Sequence, residues 1–111
     1  MIEIVIMEHL KTKISVPVLM EKPEPLLSEY VLFEKTSGGK ANQLLSSTFA
    51  FQSYAPSLYK AALLNEKVKL AVDSLIEIPG VSGVQINSDY NFTDTTTKEY
   101  RYQAVYDINH Y

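Results

Sequence analysis

The segment from Pro56 to Gly80 constrains this chain most, because it sets an apolar stripe at helical spacing between two regions whose apolar residues alternate. Leu58, Ala61, Leu64, Val68, Ala71, Val72 and Leu75 form the stripe, while Asn65, Glu66, Lys67, Lys69 and Asp73 mostly take the wet side. Pro56-Ser57 opens a helix running to about Ile76, and Pro79-Gly80 stops it. A helix with one apolar stripe must lay it on another element, and the flanking segments supply a sheet.

Before the helix, Tyr30 to Lys35 reads as a strand, Ser37-Gly38-Gly39-Lys40 as a hairpin turn, and Gln43 to Tyr54 as the returning strand. After it, Val84, Ile86, Ser88, Tyr90 and Phe92 alternate with polar residues. Beyond a polar loop, Tyr100, Tyr102, Ala104, Tyr106 and Ile108 alternate with Arg101, Gln103, Val105 and Asp107, giving a second hairpin. At the start, Ile2, Val5, Ile6 and Leu10 recur at helical spacing, with acidic residues early and Lys11 and Lys13 late, as suits a helix dipole; the β-branched run Ile4 to Ile6 leaves a strand open. Val16-Pro17-Val18-Leu19 reads as a short edge strand and Glu21 to Leu27, with Pro23 and Pro25, as a stiff loop. The expected fold is α+β, a mainly antiparallel β-sheet with two helices packed on one face. At 111 residues it makes a single domain, 1–111.

The absence of cysteine excludes disulfides, zinc-thiolate sites and thiol nucleophiles, and an intracellular origin is expected. No apolar stretch approaches the roughly 20 residues of a membrane helix, and Ile2 to Met7 has no basic residue before it, so no targeting segment is expected. Ten Lys plus Arg are scattered against thirteen Asp plus Glu, for a net charge of −3, which speaks against tight DNA binding.

Chemistry has few footholds. His9 and His110 stand near the two termini, in neither a zinc spacing nor a nucleophile–base pattern. Ser37-Gly38-Gly39-Lys40 lacks the spacing of a phosphate loop, and Asp89 and Asp94 with the threonines at 93, 95, 96 and 97 fit no calcium loop. Asp73 and Glu77 pair only as like charges on a helix end. No catalytic residue, metal site or cofactor is expected. Eight tyrosines are the compositional oddity, and Tyr100, Tyr102, Tyr106 and Tyr111 crowd the last segment, either as a packed sheet face or as an interface.

The order Val16-Pro17-Val18, Glu21-Lys22-Pro23-Glu24-Pro25, Glu29-Tyr30-Val31-Leu32-Phe33-Glu34-Lys35-Thr36 and Gly38-Gly39 resembles the first half of siphophage tail terminator (tail completion) proteins. There a VPV-like strand, a proline loop and a "(Y/F)V..E.TGG" strand and turn follow one another. The resemblance continues through Phe49-Ala50-Phe51-Gln52-Ser53-Tyr54-Ala55 into the helix beginning Ser57-Leu58-Tyr59-Lys60-Ala61-Ala62. It ends with Asp89-Tyr90-Asn91-Phe92-Thr93-Asp94 and Arg101-Tyr102-Gln103-Ala104-Val105-Tyr106-Asp107. Coverage is nearly the full chain; order and spacing carry the likeness, and Lys60 stands where the family commonly has an acidic residue.

The resemblance implies a hexameric ring of this chain at the head-proximal end of the virion tail, assembled in the host cytoplasm. Such a ring stops tail tube polymerisation and presents a surface to the head connector or stopper, and DNA passes its lumen without specific binding. The expected interface residues are Ser37, Gly38, Gly39, Lys40 and Asn42 in one loop, and Asn91, Thr93, Asp94, Thr95 and Lys98 in another, both ordering on assembly. The rival readings are a head-closure or head–tail adaptor subunit of the same phage module, a small α+β ligand-binding module and, third, an enzyme using carboxylates such as Asp73 and Glu77 with tyrosines alone.

Overall fold

The computed structural model describes residues 1–41 and 44–111. Glu3 in its first turn and Lys11 and Lys13 in its last complement the dipole of helix α1 (Ile2–Lys13), which buries Ile2, Ile6 and Leu10. The chain then passes through a two-residue strand β1 (Val18–Leu19). Strands β2 (Tyr30–Ala41) and β3 (Leu44–Ala55) follow, then helix α2 (Leu58–Asp73), a 3-10 turn (Ser74–Glu77), and strands β4 (Val81–Asn91) and β5 (Tyr100–His110). Ser57 caps α2 by accepting the Lys60 backbone N–H at 3.2 Å.

The sheet order is β1-β2-β3-β5-β4, antiparallel except for the β1–β2 pair, so the fold is α+β. Phe33, Phe49 and Phe51 project from one face, their ring centroids 5.8 to 6.2 Å apart, and Tyr106 meets Phe51 edge-on at 6.0 Å. Against them pack Ile6 and Leu10 of α1 and Leu64, Val68, Val72 of α2, in one continuous core. Both helices cover that face. Burying side chains of this size stabilises by about 1.5–3 kcal/mol each, and that term holds the layers together.

The structure departs from the sequence reading in three places. The residues Ser37-Gly38-Gly39-Lys40 form no turn: they pair with Thr48, Ser47, Ser46 and Leu45 as the far half of β2, and the ladder runs on to Ala41↔Leu44. Glycine weakens a strand without forbidding it, and β3 supplies an unbroken partner. Within α2, Leu58 is exposed whereas Asn65 is buried, because the Asn65 amide donates to Asp89 Oδ1 at 2.8 Å. In β4 a register shift between Ile86 and Ser88 breaks the expected alternation: Ile86 pairs with Tyr106 on the helix side, whereas Ser88 and Tyr90 pair with Val105 and Gln103 on the open side.

Candidate functional site

The two predicted contact loops lie at opposite ends of the sheet. Strand β5 pairs Tyr100 with Ala55 at one end and His110 with Leu45 at the other, so the two levels are roughly 34 Å apart along the strand. Ser37, Gly38, Gly39 and Lys40 sit at the His110 end as an exposed strand, and Asn42 lies outside the described residues. Asn91 ends β4 at the other end, with Thr93, Asp94, Thr95 and Lys98 in the connection to β5.

That connection carries its own hydrogen bonds. Asn91 Oδ1 accepts from the Thr93 hydroxyl at 2.6 Å and the Thr93 amide at 3.0 Å. Asp94 Oδ1 accepts the Thr96 amide at 3.0 Å and the Thr97 amide at 3.4 Å, and those backbone donors hold its carboxyl below the ordinary value of 3.8. Asp94 also bridges to Glu99, and Lys98 takes a φ of 56°, closing the turn.

Beside this loop the open face of the sheet carries a cluster that the sequence reading missed. Tyr30 and Tyr54 are cross-strand partners and stack at 4.5 Å. Arg101, the β5 partner of Tyr54, donates to its hydroxyl at 2.9 Å and to Phe92 O at 2.7 Å, with its guanidinium 4.5 Å from the Phe92 ring. Lys22 reaches over the Tyr54 ring to Glu99, 2.7 Å away, and that hydrogen bond raises the lysine's pKa; burial beside Tyr54 raises that of Tyr30. Further along the face Tyr54 donates to Gln52, Gln52 to Gln103, and Gln103 to Tyr90. Leu26 and Leu27 close over Tyr30 and Tyr54 to leave a cleft of about 160 Å³. Register is what joins these residues, and reading Ser37-Gly38-Gly39-Lys40 as a turn rather than as strand implies a different β2–β3 register, which hides the Tyr30–Tyr54 pair.

On the helix side, Lys69 bonds Asp89 at 2.6 Å and Glu66 at 2.9 Å, which raises its pKa, and the Tyr106 hydroxyl donates to Asp73 at 2.9 Å. Burial, then Asp73, pushes the Tyr106 phenol well up. These contacts tie β4 and β5 to α2. Asp73 ends α2 and Glu77 lies in the 3-10 turn, so the two do not share a helix face.

Each histidine contacts a serine. His9 Nε2 is 2.7 Å from Ser74 Oγ, but that hydroxyl donates its proton to Ala71 O at 2.7 Å, so the imidazole is the donor and not a base toward it. His110 Nε2 is 3.0 Å from Ser47 Oγ, both buried. Among the described residues neither imidazole bonds a carboxylate, and no three His, Asp or Glu gather at metal-ligand distance. No helix among them is long and apolar enough to cross a membrane. What the surface offers is contact: aromatic rings, a guanidinium and exposed leucines on a rigid frame.

No protein-family model matches the chain, and no curated protein matches it.

Proposed function

We propose that this chain is a ring-forming subunit at the head-proximal end of a long-tailed phage's tail, which ends tube polymerisation and offers the head connector its docking surface. The observation that carries the reading is the resemblance to tail terminator proteins, whose strand segments fall here on one continuous sheet. The Val16-Pro17-Val18 run leads into β1, Tyr30–Thr36 is the strand beside it, and Phe49–Ala55 is the next strand and feeds α2 directly. Mechanism is then specific binding. A ring needs two different patches on each subunit that meet head to tail and close by rotation. The tube protein and the connector or stopper are the other partners, and the net charge of −3 suits a lumen that DNA crosses without being gripped.

The test is electron microscopy of lysates from a phage carrying this gene, with and without an early stop codon. Tubes of uncontrolled length beside filled, tailless heads are the expected result. Tails of normal length beside unattached heads would instead make the chain a head-closure or adaptor subunit. Normal infectious particles would overturn a role in tail assembly.

A further inference from the structure

The two layers of the molecule carry surfaces of opposite character. On the helix side a groove of about 440 Å³ runs between the end of α1 and the first turns of α2, with Ile14, Val16 and Leu64 in its floor and Lys13, Lys60 and Lys67 at its rim. Glu29 is the acidic residue in its lining. None of the three lysines takes part in an ion pair among the described residues, on a chain that is acidic overall. Leu63 in its lining is 46% exposed, and Leu70, in an adjoining depression that shares Lys13 and Lys67, is 72% exposed. With Tyr59 they fall within about 40° of one another around α2, forming a second apolar stripe that faces away from the sheet. A basic rim around apolar side chains suits an occupant that is both acidic and apolar.

The same chain carries such a segment on its other layer. Between β1 and β2, Glu21 and Glu24 are exposed without an ion pair among the described residues, and Leu26 and Leu27 are 61% and 41% exposed. Leu26 and Leu27 border the cleft over Tyr30 and Tyr54, on the face of the sheet opposite the helices, so the loop and the groove of one subunit look in different directions. The loop is also fixed in place. Lys22 anchors it to Glu99 and to the Tyr54 ring, and Pro23 and Pro25 restrict its backbone, so docking orders little that is not already ordered.

We propose that the Met20–Leu27 loop of one copy seats in the α1–α2 groove of the next, with Glu21 and Glu24 against Lys60 and Lys67, and Leu26 and Leu27 against Leu63 and Leu70. A loop meeting a groove is a heterologous contact, and contacts of that kind propagate head to tail until rotation closes them. Closure into a ring rests on the function proposed above; the pairing itself is measurable without any phage.

The experiment is sedimentation velocity of the purified full chain over a concentration series, as wild type and with charges reversed. Glu21→Lys with Glu24→Lys should weaken self-association by about tenfold or more, and Lys60→Glu with Lys67→Glu should do the same. An equimolar mixture of the two double variants should associate like the wild type, because each then offers the complement of the other. All four side chains are exposed, and Leu26→Ser with Leu63→Ser is a second pair that changes no charge; its expected effect is again weaker association. A wild type that stays monomeric throughout, variants that associate as well as the wild type, or a mixture that remains monomeric would each overturn the pairing. Tails that terminate normally when the swaps have no effect in solution would remove the pairing and keep the proposed function. Restored mixtures from a gene dispensable for tails would do the reverse.

Discussion

Both ends of the sheet read in the sequence as polar interruptions between strands, one rich in glycine and serine and the other in threonine, yet they are built differently. At the end holding residues 91–99, Asp94, Asn91 and Arg101 satisfy the backbone of the turn and Lys22 clamps a second loop against it. At the other end, β2 from Glu34 to Ala41 is exposed throughout and relies on its ladder to β3; Thr36, donating to Thr48 O at 3.2 Å, adds one side-chain bond. Polarity alone therefore does not distinguish a loop from a strand. What decides is whether side chains can take over the backbone's hydrogen bonds or a neighbouring strand must.

The change with the largest effect should break both ends together. Phe51, fully buried between Phe33, Phe49 and Tyr106, belongs to the sheet they share, and Phe51→Ala should cost about 3–5 kcal/mol in urea unfolding. A loss below about 1 kcal/mol would mean that the aromatic core does not carry the fold. Next, Arg101→Ala removes the bonds to Tyr54 and Phe92 and should cost about 1–2 kcal/mol. Hydrogen exchange should quicken across residues 92–101 and stay unchanged in residues 36–41, and an equal change in both would erase the contrast.

At the bare end the sign should reverse. A Cβ added at Gly39 meets nothing within 4 Å, so Gly39→Thr should stabilise by about 0.5–1 kcal/mol through a better strand former. Destabilisation there would show that the glycine is needed for its backbone freedom. The smallest effect is acidification. The Asp94 carboxyl is held below its unfolded value of 3.8, so its contribution is present above that pH and lost as pH falls through the folded value. Amide exchange at Thr96 and Thr97 should then rise, with residues 36–41 indifferent; a rise that begins well above pH 3.8 would contradict the assignment.

The architecture was legible because burial writes a period into the sequence. Ile2, Ile6 and Leu10 announced α1, and the stripe from Ala61 to Leu75 announced α2, because those side chains enter the core. Legibility failed where nothing is buried. The far half of β2 packs no side chain inward, so Gly38 and Gly39 look like punctuation that ends the strand, whereas it runs on to Ala41. The shift in β4 was invisible for a related reason: Asp89 reaches α2 through Asn65 and Lys69, a polar pull on a strand that hydrophobic alternation does not record. The cluster around Tyr54 and the lysine groove both need cross-strand or cross-helix neighbours, which spacing along the chain does not supply.

The irregularity of β4 has a consequence for the protein before it meets any partner. As an outer strand of eleven residues, β4 would ordinarily template the addition of further chains along its free N–H and C=O groups. Its two register shifts, near Ser82 and near Asn87, interrupt that row, so no long regular edge is on offer. Chains meeting edge to edge therefore find little regular ladder to extend, and growth of the sheet from one molecule into the next is disfavoured.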